Sequence, residues 1–159
     1  MRRYRADPSL GYKESTKDIG FLVPDAKEHK RLLEFLKRAG YSEVTSYGWK
    51  RAGEGIVFDL YPGQQVYSTM LLTSPLDRGG NKKIRVWKKI YLGVLNPIDL
   101  IISKMFRGTD VDVKDCLTLL HNEKVDLKKL EARYRETAKY EVSEERVLGN
   151  LDLLLRPLR

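Results

Sequence analysis

The sequence predicts an α+β fold, in which a mostly antiparallel or mixed sheet lies under helices. Strand-like segments dominate the first 95 residues, and helical periodicity dominates everything after Asn96. The chain has 159 residues, of which 42% are hydrophobic and 33% are charged, as in ordinary globular proteins. We therefore expect a sheet-based core over residues 1–95 and a helical C-terminal portion over residues 96–159, packed together as one unit.

Short segments of strand-like composition alternate with turn residues along the first part of the chain. The predicted strands are 17–23, 42–47, 56–61, 66–72 and 83–93. Residues 1–15 show no strong periodicity and are interpreted as an irregular or extended lead-in.

Helix starts and stops are marked by capping residues. Asp25 caps the first predicted helix, which ends before Gly40, and Asn96 caps the second, which Gly108 ends. The remaining predicted helices are 109–120, 127–139 capped by Asp126, and 144–156 capped by Ser143. The last of them offers apolar side chains for the core or for a homodimer contact, namely Leu151, Leu154 and Leu155.

The net charge of +8 favours anionic partners such as nucleotides or RNA. No apolar run approaches the roughly 20 residues of a membrane span, and no signal-peptide core follows the basic N-terminus. We therefore expect a cytoplasmic protein without membrane contact. The chain holds only two Gln and is rich in Lys, Arg and Glu, a balance typical of thermophilic proteins.

Asp18 and Asp59 each lie in the middle of a predicted strand, on a face with few other acids. Neighbouring strands lie about 4.8 Å apart, so two such carboxylates can converge on one divalent cation. Mg²⁺ held in this way can bridge the phosphates of a nucleotide during phosphoryl or nucleotidyl transfer. The alternative is that each Asp faces solvent or caps a loop.

The segment 15–23, the helix after it and the strand with Asp59 resemble the minimal nucleotidyltransferase fold. They are similar to the abortive-infection nucleotidyltransferases of toxin–antitoxin systems. In that group a polar turn leads into Asp-Ile-Asp, then a helix, then a strand with a third Asp. Here Asp18 matches the first acid and Asp59 the third, whereas Gly20 stands at the position of the second.

A second segment also resembles that group. The run 95–101 leads to Lys104, and Asp112 and Asp115 follow on the next predicted helix. The family pattern is a helix with a Lys, then a turn, then Asp-x-x-Asp. Asp112 and Asp115 share a helical face, and Lys104 is placed to pair with one of them. These three residues either support the nucleotide site or simply lock two helices together.

The resemblance covers residues 14–120 and implies a nucleotidyltransferase-like sheet flanked by helices. It implies transfer of a nucleoside monophosphate from a nucleoside triphosphate to RNA or protein, with a cognate antitoxin as partner. Asp18 and Asp59 would be the catalytic and Mg²⁺-binding residues. Gly20 departs from the pattern, and so does the lack of a phosphate-binding Gly-Gly or Gly-Ser turn, since Gly11 is the only glycine before Asp18. The alternative is a catalytically degenerate relative that binds RNA, a nucleotide or a protein.

A cationic stretch from Arg78 to Lys89 has six basic residues and no acid. Four side chains are expected to alternate onto one face of the strand predicted over 83–93, namely Lys83, Arg85, Trp87 and Lys89. A cationic face with an aromatic ring can bind a phosphate backbone and stack a base, which predicts a nucleic-acid-binding surface. The alternative is a solvated edge strand blunted by lysines.

Overall fold

The computed structural model describes residues 18–67 and 69–158. The predicted lead-in with Gly11 lies outside these ranges, as does Lys17 at the start of the first predicted strand. Within them, five α-helices accompany a mixed four-stranded sheet and two small two-stranded sheets. The predicted α+β class is confirmed. None of these helices combines the length and apolar character that a bilayer crossing requires.

The strands are β1 (Asp18–Val23), β2 (Tyr41–Glu43), β3 (Gly48–Arg51), β4 (Val57–Pro62), β5 (Gln65–Val66), β6 (Thr69–Met70), β7 (Asn81–Val86) and β8 (Tyr91–Leu95). The helices are α1 (Ala26–Arg38), α2 (Pro97–Arg107), α3 (Asp110–Asn122), α4 (Leu127–Ala138) and α5 (Glu144–Leu155), followed by a 3₁₀ turn over Arg156–Leu158. The helical predictions therefore agree with the structure to within a few residues at each end.

The chain forms two compact units that meet in sequence between Gln65 and Val66. This boundary comes well before the one predicted at residue 95. The difference arises because the β7–β8 hairpin belongs to the same unit as the helices. Its base is tied to the start of α2, where the backbone N–H of Asn96 donates to the carbonyl of Gly80 at 3.0 Å.

The first unit is a four-stranded sheet with one helix on it. The strand order is β1-β4-β3-β2, and β1 runs parallel to β4 while the other pairs are antiparallel. Asp25 starts α1 by accepting the backbone N–H of Glu28 at 2.9 Å. Leu36 of α1 packs with Trp49 and Leu60 of the sheet in a common core. One face of the sheet is thus covered by α1, and the residues alternating with Leu60 lie on the other.

Two short predicted strands have different boundaries in the structure. The strand predicted over 42–47 is wrong, because the chain turns there and forms the β2–β3 hairpin. Thr45 stabilises that turn, with its hydroxyl oxygen accepting the backbone N–H of Gly48 at 2.7 Å. The strand predicted over 66–72 is reduced to the two-residue strands β5 and β6.

The helices of the second unit surround an apolar core. The fully buried side chains include Ile101, Met105, Phe106, Leu130, Tyr134, Val147, Leu151 and Leu154. The rings of Phe106 and Tyr134 meet edge to face, with centroids 4.9 Å apart. Leu151, Leu154 and Leu155 are at most 4% exposed, so of their two predicted roles they take the one in the core.

The single strand predicted over 83–93 is wrong, because the chain reverses at residues 87–90. The backbone N–H of Trp87 donates to the carbonyl of Ile90 at 2.8 Å and closes the turn. A register shift between Lys83 and Arg85 pairs Lys83 with Gly93 and Arg85 with Leu92. Successive residues of β8 point to opposite faces, so Lys83 and Arg85 lie on opposite faces of the hairpin rather than on one.

Candidate functional site

The parallel pair β1–β4 brings the two predicted metal-binding positions onto adjacent strands. The backbone register pairs Asp18 with Val57 and Gly20 with Asp59. Residues in register share a face, as do alternate residues along a strand, so positions 18, 20 and 59 fall on the same face of the pair. This face is the one opposite α1. Asp18 and Asp59 are offset by two residues, which corresponds to about 8 Å between their backbone positions.

Asp59 is half-buried and lies beside Tyr61. The hydroxyl of Tyr61 donates to Oδ2 of Asp59 at 3.1 Å. Tyr61 is only 3% exposed, and its ring centroid lies 4.8 Å from that of Tyr47. Within the described ranges no cationic side chain forms an ion pair with Asp59. Among those residues, the carboxylate is thus oriented by a neutral donor and not by a cation.

Two glycines flank Asp59 on the neighbouring strands. A Cβ atom at Gly20 would lie 3.4 Å from the nearest carbon of the Tyr61 ring, which is an ordinary van der Waals contact. Position 20 therefore accepts a Cβ atom without a clash. At Gly48, by contrast, a Cβ atom would lie 2.5 Å from Oγ1 of Thr45 and 3.3 Å from Oδ1 of Asp59. Glycine at position 48 is required for this close approach.

The number of carboxylates on this face can be compared with the number that different kinds of metal site require. Among the described side chains, no group of three or more His, Cys, Asp or Glu could hold an ion. Mg²⁺ in nucleotide sites is commonly bound by only one or two carboxylates, with phosphates and water completing its shell. Asp59, alone or with a second aspartate at position 18, matches that small number of carboxylates and does not match an all-protein cage.

The second predicted cluster lies in the other unit, between α2 and α3. Lys104 Nζ is 2.9 Å from Oδ2 of Asp115 and 3.9 Å from Oδ1 of Asp112. The expected pairing of Lys104 across the two helices is therefore present. Lys104 and Asp115 are each about a quarter exposed, whereas Asp112 is completely buried.

Asp112 is held by donors from the α2–α3 connection. Arg107 forms a two-pronged pair with it, at 2.7 Å from Nε to Oδ2 and 2.5 Å from Nη2 to Oδ1. The Thr109 hydroxyl donates to Oδ2 at 2.7 Å. The two backbone N–H groups form a capping box at the start of α3, that of Asp112 donating to Thr109 Oγ1 and that of Thr109 to Asp112 Oδ2, each at 3.2 Å. Burial raises the pKa of Asp112, but the hydrogen bonds from Arg107 and Thr109 outweigh it and lower the pKa to about 2.

The partners that these acids have in the structure, Arg107, Thr109 and Tyr61, were not predicted from the sequence. Thr109-x-x-Asp112 is a recognisable capping-box spacing, and Arg107 directly precedes the helix-ending Gly108. Tyr61 follows Asp59 by two residues, which places both on one strand face. Each of these spacings can be read from the sequence, but none of them specifies which acid will accept a hydrogen bond from which side chain.

A second buried acid, Asp99, was also missed. It is 1% exposed, and Arg133 Nε from α4 lies 3.0 Å from its Oδ1. The amide nitrogen of Asn96 lies 2.5 Å from its Oδ2. Burial raises the pKa of Asp99, although the hydrogen bond from Asn96 and the charge of Arg133 oppose that change. The pair joins α2 to α4, and the long sequence separation of Asp99 and Arg133 hid it from local analysis.

The predicted nucleic-acid-binding residues all lie in the β7–β8 hairpin, but they do not share one face. Arg85 and Trp87 are in contact, with the guanidinium carbon 5.2 Å from the ring centroid. Lys83 lies on the opposite face, and Lys89 lies in the turn. All four side chains are exposed.

A family model described as "Nucleotidyltransferase of unknown function (DUF6036)" matches residues 74–154, slightly more than half of the chain. The chain belongs to this nucleotidyltransferase family. The matched segment contains the β7–β8 hairpin and the buried ion pairs of the helices, whereas β1 and β4 precede it. A comparison with curated proteins found no match.

Proposed function

We propose that this chain binds a nucleoside triphosphate with Mg²⁺ at Asp18 and Asp59 and transfers the nucleoside monophosphate to RNA or protein. Its membership of a nucleotidyltransferase family supports this reaction class. The observation that carries the proposal is the register of β1 and β4, which puts Asp59 directly beside Gly20 on the face opposite α1. We further propose that the protein acts in the cytoplasm as the transferase of a toxin–antitoxin pair.

In the proposed reaction, a hydroxyl oxygen of the acceptor forms a bond to the α-phosphorus of the nucleotide. The bond from that phosphorus to the bridging oxygen breaks, pyrophosphate leaves, and the acceptor proton passes to solvent. Bound Mg²⁺ would neutralise the charge that develops on the phosphates. Asp18 and Asp59 would supply its carboxylate ligands, and the Tyr61 hydroxyl keeps Asp59 in a fixed orientation.

The cluster of Lys104, Asp112 and Asp115 has a different role in this proposal. Its acids are already paired with Lys104 and Arg107, and Asp112 is buried. An acid in such a setting is poorly suited to bind a further cation, because a ligand would first have to displace an existing partner. We assign these residues to holding α2 against α3, which supports the fold of the second unit.

Calorimetric titration with a non-hydrolysable nucleoside triphosphate analogue tests the proposal. Binding is expected in Mg²⁺ and should be lost in EDTA. Asp59→Asn should weaken Mg²⁺-dependent binding by about tenfold or more, because a charged ligand is removed. Its side-chain oxygen can still accept the Tyr61 hydrogen bond.

The matched control is Glu34→Gln, which removes one negative charge from an exposed position on α1 of the same unit. Its nucleotide affinity should equal that of the unmodified chain. Binding that is indifferent to EDTA, or equal losses in Asp59→Asn and Glu34→Gln, would refute the metal site.

A second candidate function follows from Gly20, which stands where the abortive-infection nucleotidyltransferases that the chain resembles have an acid. A relative with an incomplete ligand set could bind a nucleotide, RNA or a protein without transferring anything. The two candidates differ in one assay. Incubation with an α-phosphate-labelled triphosphate and Mg²⁺ labels an acceptor if the chain is a transferase, and labels none if it is a binding module.

A further inference from the structure

The β7–β8 hairpin carries a binding surface of its own. We propose that one face of this hairpin, together with its turn, binds single-stranded RNA. The hairpin surface is defined by Lys82, Arg85, Trp87, Lys88 and Lys89. RNA binding by this surface is independent of the proposed function. The further step, in which the bound RNA is the acceptor of nucleotidyl transfer, rests on the proposed function.

The register determines which side chains belong to this surface. Lys82 pairs with Val94 and Arg85 with Leu92, so Lys82 and Arg85 share a face. Trp87 joins that face because its ring lies against the Arg85 guanidinium. Lys88 and Lys89 lie in the turn that follows.

The charge of this surface selects an anionic partner. The sequence has no acid between Asp77 and Asp99, a stretch that contains the whole hairpin. The five side chains of the hairpin surface are exposed. Within the described ranges, none of its four cations forms an ion pair. Cations clustered in this way bind phosphates and release their counterions, so affinity depends steeply on salt.

Trp87 favours an unpaired strand over a duplex. Its side chain is 44% exposed although it is a large aromatic residue. Aromatic rings and guanidinium planes stack on unpaired bases, whereas the deep major groove of A-form RNA does not admit protein side chains. The Arg85–Trp87 contact provides both kinds of stacking group at one place, between cations that can hold the backbone.

Fluorescence anisotropy with a labelled 12-nucleotide single-stranded RNA tests this surface, in EDTA and without nucleotide. Trp87→Ala should weaken binding by about 10- to 100-fold, and Trp87→Phe should recover most of the loss because it keeps a stacking ring. Replacing Arg85 and Lys88 by Glu should also flatten the dependence of log Kd on log salt by about 0.7 for each lost phosphate contact.

Two control variants isolate the surface. Lys83→Glu makes the same charge change on the opposite face of the hairpin, and it should cost clearly less affinity than Arg85→Glu. Tyr140→Ala removes an aromatic side chain that is 73% exposed and lies outside the hairpin, and its affinity should match that of the unmodified chain.

Several outcomes would overturn the inference. Two concern the variants: equal affinities for Trp87→Ala and Tyr140→Ala, or equal losses for Lys83→Glu and Arg85→Glu. Two concern the ligand: tighter binding of duplex than of single-stranded RNA, or sedimentation with phosphatidylserine vesicles in place of RNA binding. The proposed function fails separately. Asp59→Asn should keep full RNA affinity, and the hairpin variants should keep Mg²⁺-dependent nucleotide binding.

Discussion

Asp59 and Asp112 show how the two units of this chain treat a carboxylate. Asp112 is completely buried and receives hydrogen bonds from Arg107 and from Thr109. Asp59 is half-buried and accepts a hydrogen bond from the neutral hydroxyl of Tyr61. A buried acid paired with a cation can bind a further cation only if that partner is displaced, whereas an acid oriented by a neutral donor has no cation to displace. This difference is why we assign a stabilising role to Asp112 and propose metal binding for Asp59.

The family match makes this distinction important. The matched segment, 74–154, contains Asp112 and its partners, whereas Asp18 and Asp59 precede it. The candidate acids in the matched half, Asp112 and Asp115, are thus already paired with cations. The proposed chemistry therefore has to be tested on residues of the first unit.

The largest expected effect is that of Asp112→Ala on stability. Removal of the buried acid leaves Arg107 and the start of α3 without their partner, and should lower the free energy of unfolding by about 3 kcal/mol. Urea denaturation measures the change, with Asp110→Ala, an exposed acid in the first turn of α3, as the control. A loss under about 1 kcal/mol together with lost nucleotide affinity would place Asp112 in the nucleotide site instead.

The next effect is the pH dependence that Asp112 confers. Its pKa lies at about 2 in the folded chain, below the ordinary value of 3.8. The unfolded chain therefore binds the proton first as pH falls. The stabilisation, about 2 kcal/mol, is complete above about pH 4 and disappears toward pH 2.

Unfolding of the unmodified chain and of Asp112→Asn, compared between pH 5 and pH 2.5, measures this contribution. The difference in unfolding free energy between the unmodified chain and Asp112→Asn should become smaller as the pH falls. A gap that stays constant over this range would contradict the ion pair as the source of the stability.

The smallest expected effect comes from adding a second acid beside Asp59, at position 20. Gly20→Asp adds a carboxylate beside Asp59, at a position where a Cβ atom meets no clash, and should raise Mg²⁺-dependent nucleotide affinity by about tenfold. Gly20→Asn has the same size without the charge and should leave the affinity unchanged. Calorimetry distinguishes the two. Equal affinities for both variants would indicate that position 20 does not face the metal.

The sequence predicted elements best where local chemistry marks their ends. Asn96 and Gly108 bound α2 as expected, because a side-chain cap and a left-handed residue are local requirements. The β7–β8 turn was missed because the segment 87–90 contains no Gly, Pro, Asn or Asp. The bulge at Ile84 was missed because it depends on how β7 pairs with β8, which no residue of β7 specifies locally.

Contacts in the candidate sites were likewise predictable where the partners are close in sequence, and not where they are distant. The pairing of Lys104 with Asp115 could be inferred because the two helices are consecutive. The Asp99–Arg133 pair could not, because its members meet only when α4 packs against α2. That β1 and β4 are neighbours was assumed for the metal site, and the structure supplies the register that makes the hypothesis specific.

The most direct test of the central claim replaces Mg²⁺ by Mn²⁺, which accepts the same oxygen ligands and broadens nearby nuclear magnetic resonance signals. With a non-hydrolysable nucleotide present, a metal site at Asp18 and Asp59 predicts that backbone amide signals of residues 18–20 and 59–61 broaden before any others. Broadening centred on residues 104–115, or none in either segment, would contradict it.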